Sequence, residues 1–131
     1  MIEFTIYGLP VAKGRPRFTK KGFTYTPAKT KQAEDSFLNQ AFSKKPDVPL
    51  QCPLAIEMKI FMPRPKSKSK KIWAWTTRPD LDNLIKILDA LNGVFWHDDS
   101  QIIELHASKD YGEPARTEIK ITERMEDGSK Q

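Results

Sequence analysis

Five aspartates, Asp80, Asp82, Asp89, Asp98 and Asp99, fall within 20 consecutive residues. They lie in and just after DLDNLIKILDALNG (80–93), which reads as an amphipathic helix stopped by Asn92-Gly93. At ~100° per residue, Asp82, Lys86 and Asp89 share one face, and Leu81, Leu84, Leu88 and Leu91 share the opposite one. Taken singly, each acid has an ordinary explanation. Asp80 can be an N-cap, Asp82 and Lys86 an i,i+4 ion pair, and Asp98-Asp99-Ser100 a turn. Taken together, Asp80 and Asp82 at the start of a helix and Asp98 and Asp99 before the next strand are expected to converge on one spot. Clustered carboxylates repel unless a cation neutralises them. An all-oxygen set suits Mg2+ or Mn2+, not zinc. Such an ion activates water and stabilises the leaving oxygen in phosphodiester hydrolysis. Lys86, one turn away, is placed to stabilise negative charge developing on a phosphate. His97, beside Asp98, is a candidate proton shuttle, although exposed histidines are common.

The charge distribution supports a polyanionic partner. The whole chain of 131 residues carries a net +5. Residues 1–79 hold 16 Lys and Arg against 5 Asp and Glu, a net of +11, and residues 80–131 hold 6 against 12, a net of −6. A mild total conceals a basic segment followed by an acidic one. The single cysteine, Cys52, excludes an intramolecular disulfide and a Cys-cluster zinc site. The start, MIEFTIYGLP, does not read as a signal peptide, and no apolar run approaches ~18 residues, so a cytoplasmic protein is expected.

The elements that must position the acids follow from periodicity. Residues 2–7 and 54–62 alternate apolar and polar residues and read as strands. VAKGRPRFTKKGFTYTP contains Lys21-Gly22 between Phe/Thr/Tyr runs, which fits a small exposed hairpin. Thr26-Pro27 can cap and open a helix running to about Phe42, with Ala33, Phe37 and Ala41 on one face. The proline-flanked segment 63–79 reads as a mobile basic loop with a short helical turn near Trp73. Strands at 101–109 and 115–124, joined by DYGEP, form a closing hairpin. The expected fold is α+β, a single two-layer domain spanning 1–131, with a small mixed sheet covered by two helices. Its appendages are a basic arm and hairpin at 11–26, the basic loop at 63–79 and a frayed tail at 125–131.

RPDLDNLIK (78–86), LDALNG (88–93) and DDSQI (98–102) resemble the RusA family of Holliday junction resolvases. AKGRPRF (12–18), YTP (25–27) and KDYGEPARTEI (109–119) extend the resemblance over about residues 2–122. It implies a RusA-like fold and a small homodimeric endonuclease that nicks a four-way junction symmetrically with Mg2+ or Mn2+. It also implies that Asp80, Asp82 and Asp99 bind metal, that Lys86 is the catalytic lysine, and that Asp98 supports the metal site.

The basic half then reads as the DNA-facing surface. Lys13, Arg15, Arg17, Lys20 and Lys21 form one cluster, and Lys66, Lys68, Lys70 and Lys71 a second, with Lys109 a further phosphate candidate. Phosphate contacts of this kind position DNA without reading sequence and weaken with salt. Phe18, Phe23, Trp73 and Trp75 are candidates for stacking on distorted bases, or for plain packing. Two competing readings remain: a less selective nuclease of branched DNA, and a non-catalytic DNA-binding accessory protein.

Overall fold

The buried apolar residues of four strands turn to one side, and two helical segments cover that side. The computed structural model describes residues 1–10, 17–18, 24–25 and 28–124. The four-stranded sheet has the order β1 (Ile2–Tyr7), β6 (Arg116–Glu123), β4 (Leu54–Met62), β5 (Ile102–Tyr111). β6 runs antiparallel to both β1 and β4, and β4 and β5 are parallel. Two further short strands, β2 (Arg17–Phe18) and β3 (Thr24–Tyr25), pair antiparallel with each other. They flank the expected turn, while Lys21-Gly22, Thr26-Pro27 and the 125–131 tail lie outside the described residues.

The alternation read from the sequence is the burial pattern found. Phe4 and Ile6 of β1, Leu54, Ile56, Met58 and Ile60 of β4, and Ile119 and Ile121 of β6 are buried. Helix α1 (Ala28–Ala41) adds Phe37 and Ala41. The Asp80–Gly93 segment adds Leu84, Ile87, Leu88 and Leu91. Burying one such side chain contributes about 1.5–3 kcal/mol, so this face is the core that fixes both helical segments. Gln40 ties α1 to β1 as well, donating to Tyr7 O at 3.0 Å and accepting from Tyr7 N–H at 2.8 Å. The result is one small α+β domain with a mixed sheet and helices on one face.

Three expectations change. The segment after Asp80 is not one α-helix. α2 (Leu81–Ile85) passes into a 3-10 helix at Lys86–Leu91. The three-residue spacing of Leu84, Ile87 and Ala90, and of Leu88 and Leu91, fits that tighter turn. The stop is where expected: Asn92 is extended and Gly93 has φ +79°, a conformation that favours glycine.

The second change is that the last two strands are not a hairpin. β4 lies between β5 and β6, so the Gly112–Ala115 turn must cross the end of β4. Gly112 N–H donates to Met62 O at 2.9 Å, and a Cβ at Gly112 would lie 2.7 Å from the Phe61 ring. Glycine is what lets the backbone pass so close.

Third, residues around Trp73 form no helix. Tyr111 N–H donates to Trp73 O at 3.0 Å, and Ala74 bridges antiparallel to Asp110, so the end of the 63–79 loop lies as an extended strip on β5.

Candidate active site

Asp80 holds the N-cap position of α2 through its backbone. Its carbonyl accepts from Asn83 N–H at 3.1 Å and Leu84 N–H at 3.2 Å, while its carboxylate makes no capping bond. Asp82, in the first turn, is exposed, as is Asp80. Neither carboxylate has a hydrogen-bond or ion-pair partner among the described residues. Lys86 Nζ donates to Asn83 Oδ1 at 3.2 Å, so the i,i+4 pair with Asp82 is not formed. Asp89 is exposed on the same side as Lys86, three residues on. The acids are thus solvent-facing over a helix whose other side is core.

The second acidic group is built differently. Asp98 caps the 3-10 turn Asp99–Gln101: its Oδ2 accepts from Ser100 N–H at 3.0 Å, and its own N–H donates to Gln101 Oε1 at 2.7 Å. The Ser100 hydrogen bond holds the Asp98 carboxyl below the usual carboxylate range. Asp98 therefore already has a structural task. Asp99 Oδ1 accepts from the Nε1–H of fully buried Trp96 at 2.7 Å. A core indole thereby fixes an exposed carboxylate. Gln101 Nε2 also donates to Leu50 O at 2.8 Å and Cys52 O at 3.0 Å, which pins the turn to the segment leading into β4. His97 is exposed, with its backbone N–H on Leu50 O at 3.0 Å.

The two groups do not meet. Gln101 leads straight into Ile102, which pairs with Leu54 at the start of β4, whereas Pro79, next to Asp80, is tied to Lys109, which pairs with Ile60. Six residue steps along β4 take the chain from Leu54 to Ile60, roughly 20 Å. α2 and the 3-10 helix span a similar distance between them. Among the described residues no three His, Cys, Asp or Glu side chains gather as metal ligands. The expected convergence of Asp80 and Asp82 with Asp98 and Asp99 is therefore corrected for a single chain: the intervening helix holds the two groups apart.

The candidate DNA-facing residues divide in the same way. Lys13, Arg15, Lys20 and Lys21 lie outside the described residues, as does Phe23. Arg17 and Phe18 form β2. Lys66, Lys68 and Lys70 line one open cavity of about 590 Å³ with Arg64 and Tyr111, and Lys71 is exposed beside it. Arg64 Nε–H donates to Ile72 O at 2.7 Å, which closes the loop on itself. Trp73 is 70% exposed, but Trp75 is 3% exposed and stacks on Tyr111 at 6.5 Å, so it packs and is not open to a base. Lys109 is half-buried: its Nζ donates to Thr77 O at 2.7 Å and Pro79 O at 2.8 Å, and lies 4.8 Å from the Trp75 ring centroid.

Sequence reading missed Trp96, Gln101 and the inward role of Lys109. The Asp98-x-x-Gln101 spacing is itself a capping-box signal; nothing in the sequence marks the Trp96–Asp99 bond. No helix among the described residues is long and apolar enough to cross a membrane.

The family model for endodeoxyribonuclease RusA matches residues 8–122. The chain is 38% identical to an uncharacterized protein, YqaN, of Bacillus subtilis (strain 168), over 93% of this chain and 96% of that protein. It is 34% identical to a crossover junction endodeoxyribonuclease rusA of Lactococcus phage r1t, over 88% of this chain and 85% of that one.

Proposed function

The chain belongs to the RusA family of endodeoxyribonucleases, and from that membership we propose that it resolves four-way DNA junctions by paired nicks, one in each of two opposed strands. One observation supports the site assignment above the others. The segment with the RusA pattern presents Asp80 and Asp82 exposed and unpartnered among the described residues, with Asp99 oriented by the buried indole of Trp96. A structural ion-pair network would have consumed these carboxylates.

Divalent-metal dependence goes with the family, and the donor chemistry here fits a hard cation. The candidate ligands are all carboxylate oxygens, and no lysine or arginine among the described residues neutralises Asp80 or Asp82. We assign Mg2+, with Mn2+ able to substitute. Mg2+ commonly uses one or two carboxylates together with substrate phosphate, so an open Asp80/Asp82 pair is a suitable beginning. Asp80, Asp82 and Asp99 would hold the ion, which when bound supplies charge neutralisation and an acidified water. Lys86, beside Asn83 on the same exposed face, stabilises charge on the phosphate. Asp98 keeps the Asp99 turn in shape.

Because α2, the 3-10 helix and the return after Gly93 separate Asp99 from the Asp80/Asp82 pair, a complete three-carboxylate set calls for a second copy of the chain. Its Asp99 end would lie against the Asp80 end of the first. Exposed Ile103 and Leu105 on the edge strand β5 supply apolar surface for such a homodimer. Two sites related by a two-fold also suit a task that requires two matched cuts. The lysines at 66–71 and the basic cluster at 13–21 hold the arms of the junction.

The test compares a four-way junction with linear duplex and flap DNA. The wild-type protein should cut the junction in Mg2+ and stop in EDTA. Asp82→Asn and Asp99→Asn should each lower cutting by about 100-fold or more while junction binding is retained. Equal rates on plain duplex would overturn junction selectivity. Undiminished cutting by both variants would overturn the carboxylate assignment.

A further inference from the structure

Lys109 stands on the core-facing side of β5, beside Ile60 of β4. Its ammonium reaches across to the segment that leads into α2. Two of its three N–H donors are placed on Thr77 O at 2.7 Å and Pro79 O at 2.8 Å, and the indole face of Trp75 lies 4.8 Å away. Trp75 is in turn buried against Tyr111. Residues 76–79 make no other hydrogen bond or ion pair among the described residues. Four residues thus separate the anchored Trp75 from Asp80, and one ammonium holds them.

We propose that Lys109 is a positioning residue of the nuclease site: by gathering the Thr77 and Pro79 carbonyls it fixes the backbone from which the Asp80 carboxylate projects. This rests on the reading of Asp80 as a site carboxylate. A lysine in a basic protein of this family invites assignment to phosphate, but here the ammonium is committed within the fold. Its charge is balanced by two carbonyl dipoles and an aromatic face. A carboxylate that must meet a cation benefits from a rigid base, since looseness of about 1 Å in a supporting group is enough to weaken a site.

The experiment uses the full-length protein with Lys109→Met, which keeps chain length and removes the donors, and with Lys109→Arg and Lys109→Gln, which keep some. Three quantities are read: amide hydrogen exchange over residues 76–84, junction affinity in EDTA at several salt concentrations, and cleavage as a function of Mg2+. For Lys109→Met, exchange over 76–84 should quicken by about 10-fold while the amides of β4 and β6 stay protected. Junction affinity and its salt dependence should stay within about 2-fold of wild type. Half-saturating Mg2+ should rise by about 10-fold or more, with Lys109→Arg recovering part of the loss.

Unchanged exchange, together with weaker junction binding and a salt slope reduced by about one, would overturn the proposal and make Lys109 a phosphate ligand. If Lys109→Met fails to melt cooperatively, Lys109→Arg and Lys109→Gln decide the same question through the same three readouts. Asp80→Asn separates the two readings. Undiminished cutting by that variant removes Asp80 from the site, whereas the exchange data judge the Lys109 contacts independently.

Discussion

Trp96 is among the largest side chains buried in the fold, and it spends its one polar atom on Asp99. An indole N–H needs a partner when buried, and a carboxylate that must point one way needs a fixed donor. The pairing serves both. Trp96→Phe should therefore keep most of the packing but release the carboxylate. The expected outcome is a cleavage rate down by about 10–100-fold with only a small loss in melting temperature, checked by junction assays alongside thermal unfolding. A loss of stability without loss of cutting would make the bond purely structural. At this scale the sequence was informative about residue types. Asp80, Asp82 and Asp99 stand out because acids crowd one stretch. It was uninformative about partners, because Trp96 and Lys109 act through contacts made by distant elements. Trp75 and Lys109 both carried the residue types of a DNA contact, but Trp75 packs on Tyr111 and the Lys109 ammonium lies on the Thr77 and Pro79 carbonyls.

The elements were legible where a period repeats. β4 runs over Leu54–Met62, the range its alternation predicts, and α1 carries Phe37 and Ala41 inward as expected. The passage from α-helix to 3-10 helix at Lys86 was not legible. Over two turns, periods of 3.0 and 3.6 bury nearly the same residues, so the leucine stripe fits both. The stop was legible because Asn-Gly is a conformational requirement. Gly93, at φ +79°, ends the helix and starts the return that sends Trp96 into the core and Asp99 out. Gly93→Ala should cost about 1 kcal/mol or more, since an L side chain is strained there. Chemical denaturation checks the cost. Cutting by the folded variant should fall more than its stability alone explains if the return also sets Asp99.

At the scale of the molecule, the separation of the two acidic groups makes a prediction about assembly. In a mixed dimer of Asp80→Asn and Asp99→Asn chains, sites shared between chains give one site with both substitutions and one with neither. Mixing the two inactive proteins, with exchange of chains, should then restore nicking of one strand but not paired cutting. Sites contained within one chain predict no recovery. The sheet order was the least legible feature of all. DYGEP looks like a hairpin turn, and only tertiary packing reveals that β4 has been inserted between the strands it joins.

That insertion has a consequence for when the protein can fold. No two neighbouring strands of the four-stranded sheet are joined by a tight turn, and β1, made first, pairs only with β6, made last. Contacts so distant along the chain form slowly, and those that join β1 to the rest of the sheet cannot close until Glu123 has been synthesised. A ribosome-bound chain halted before Arg116 should leave the β1 amides unprotected and should not cut. Emergence of β6 would then be the step at which the nuclease fold closes.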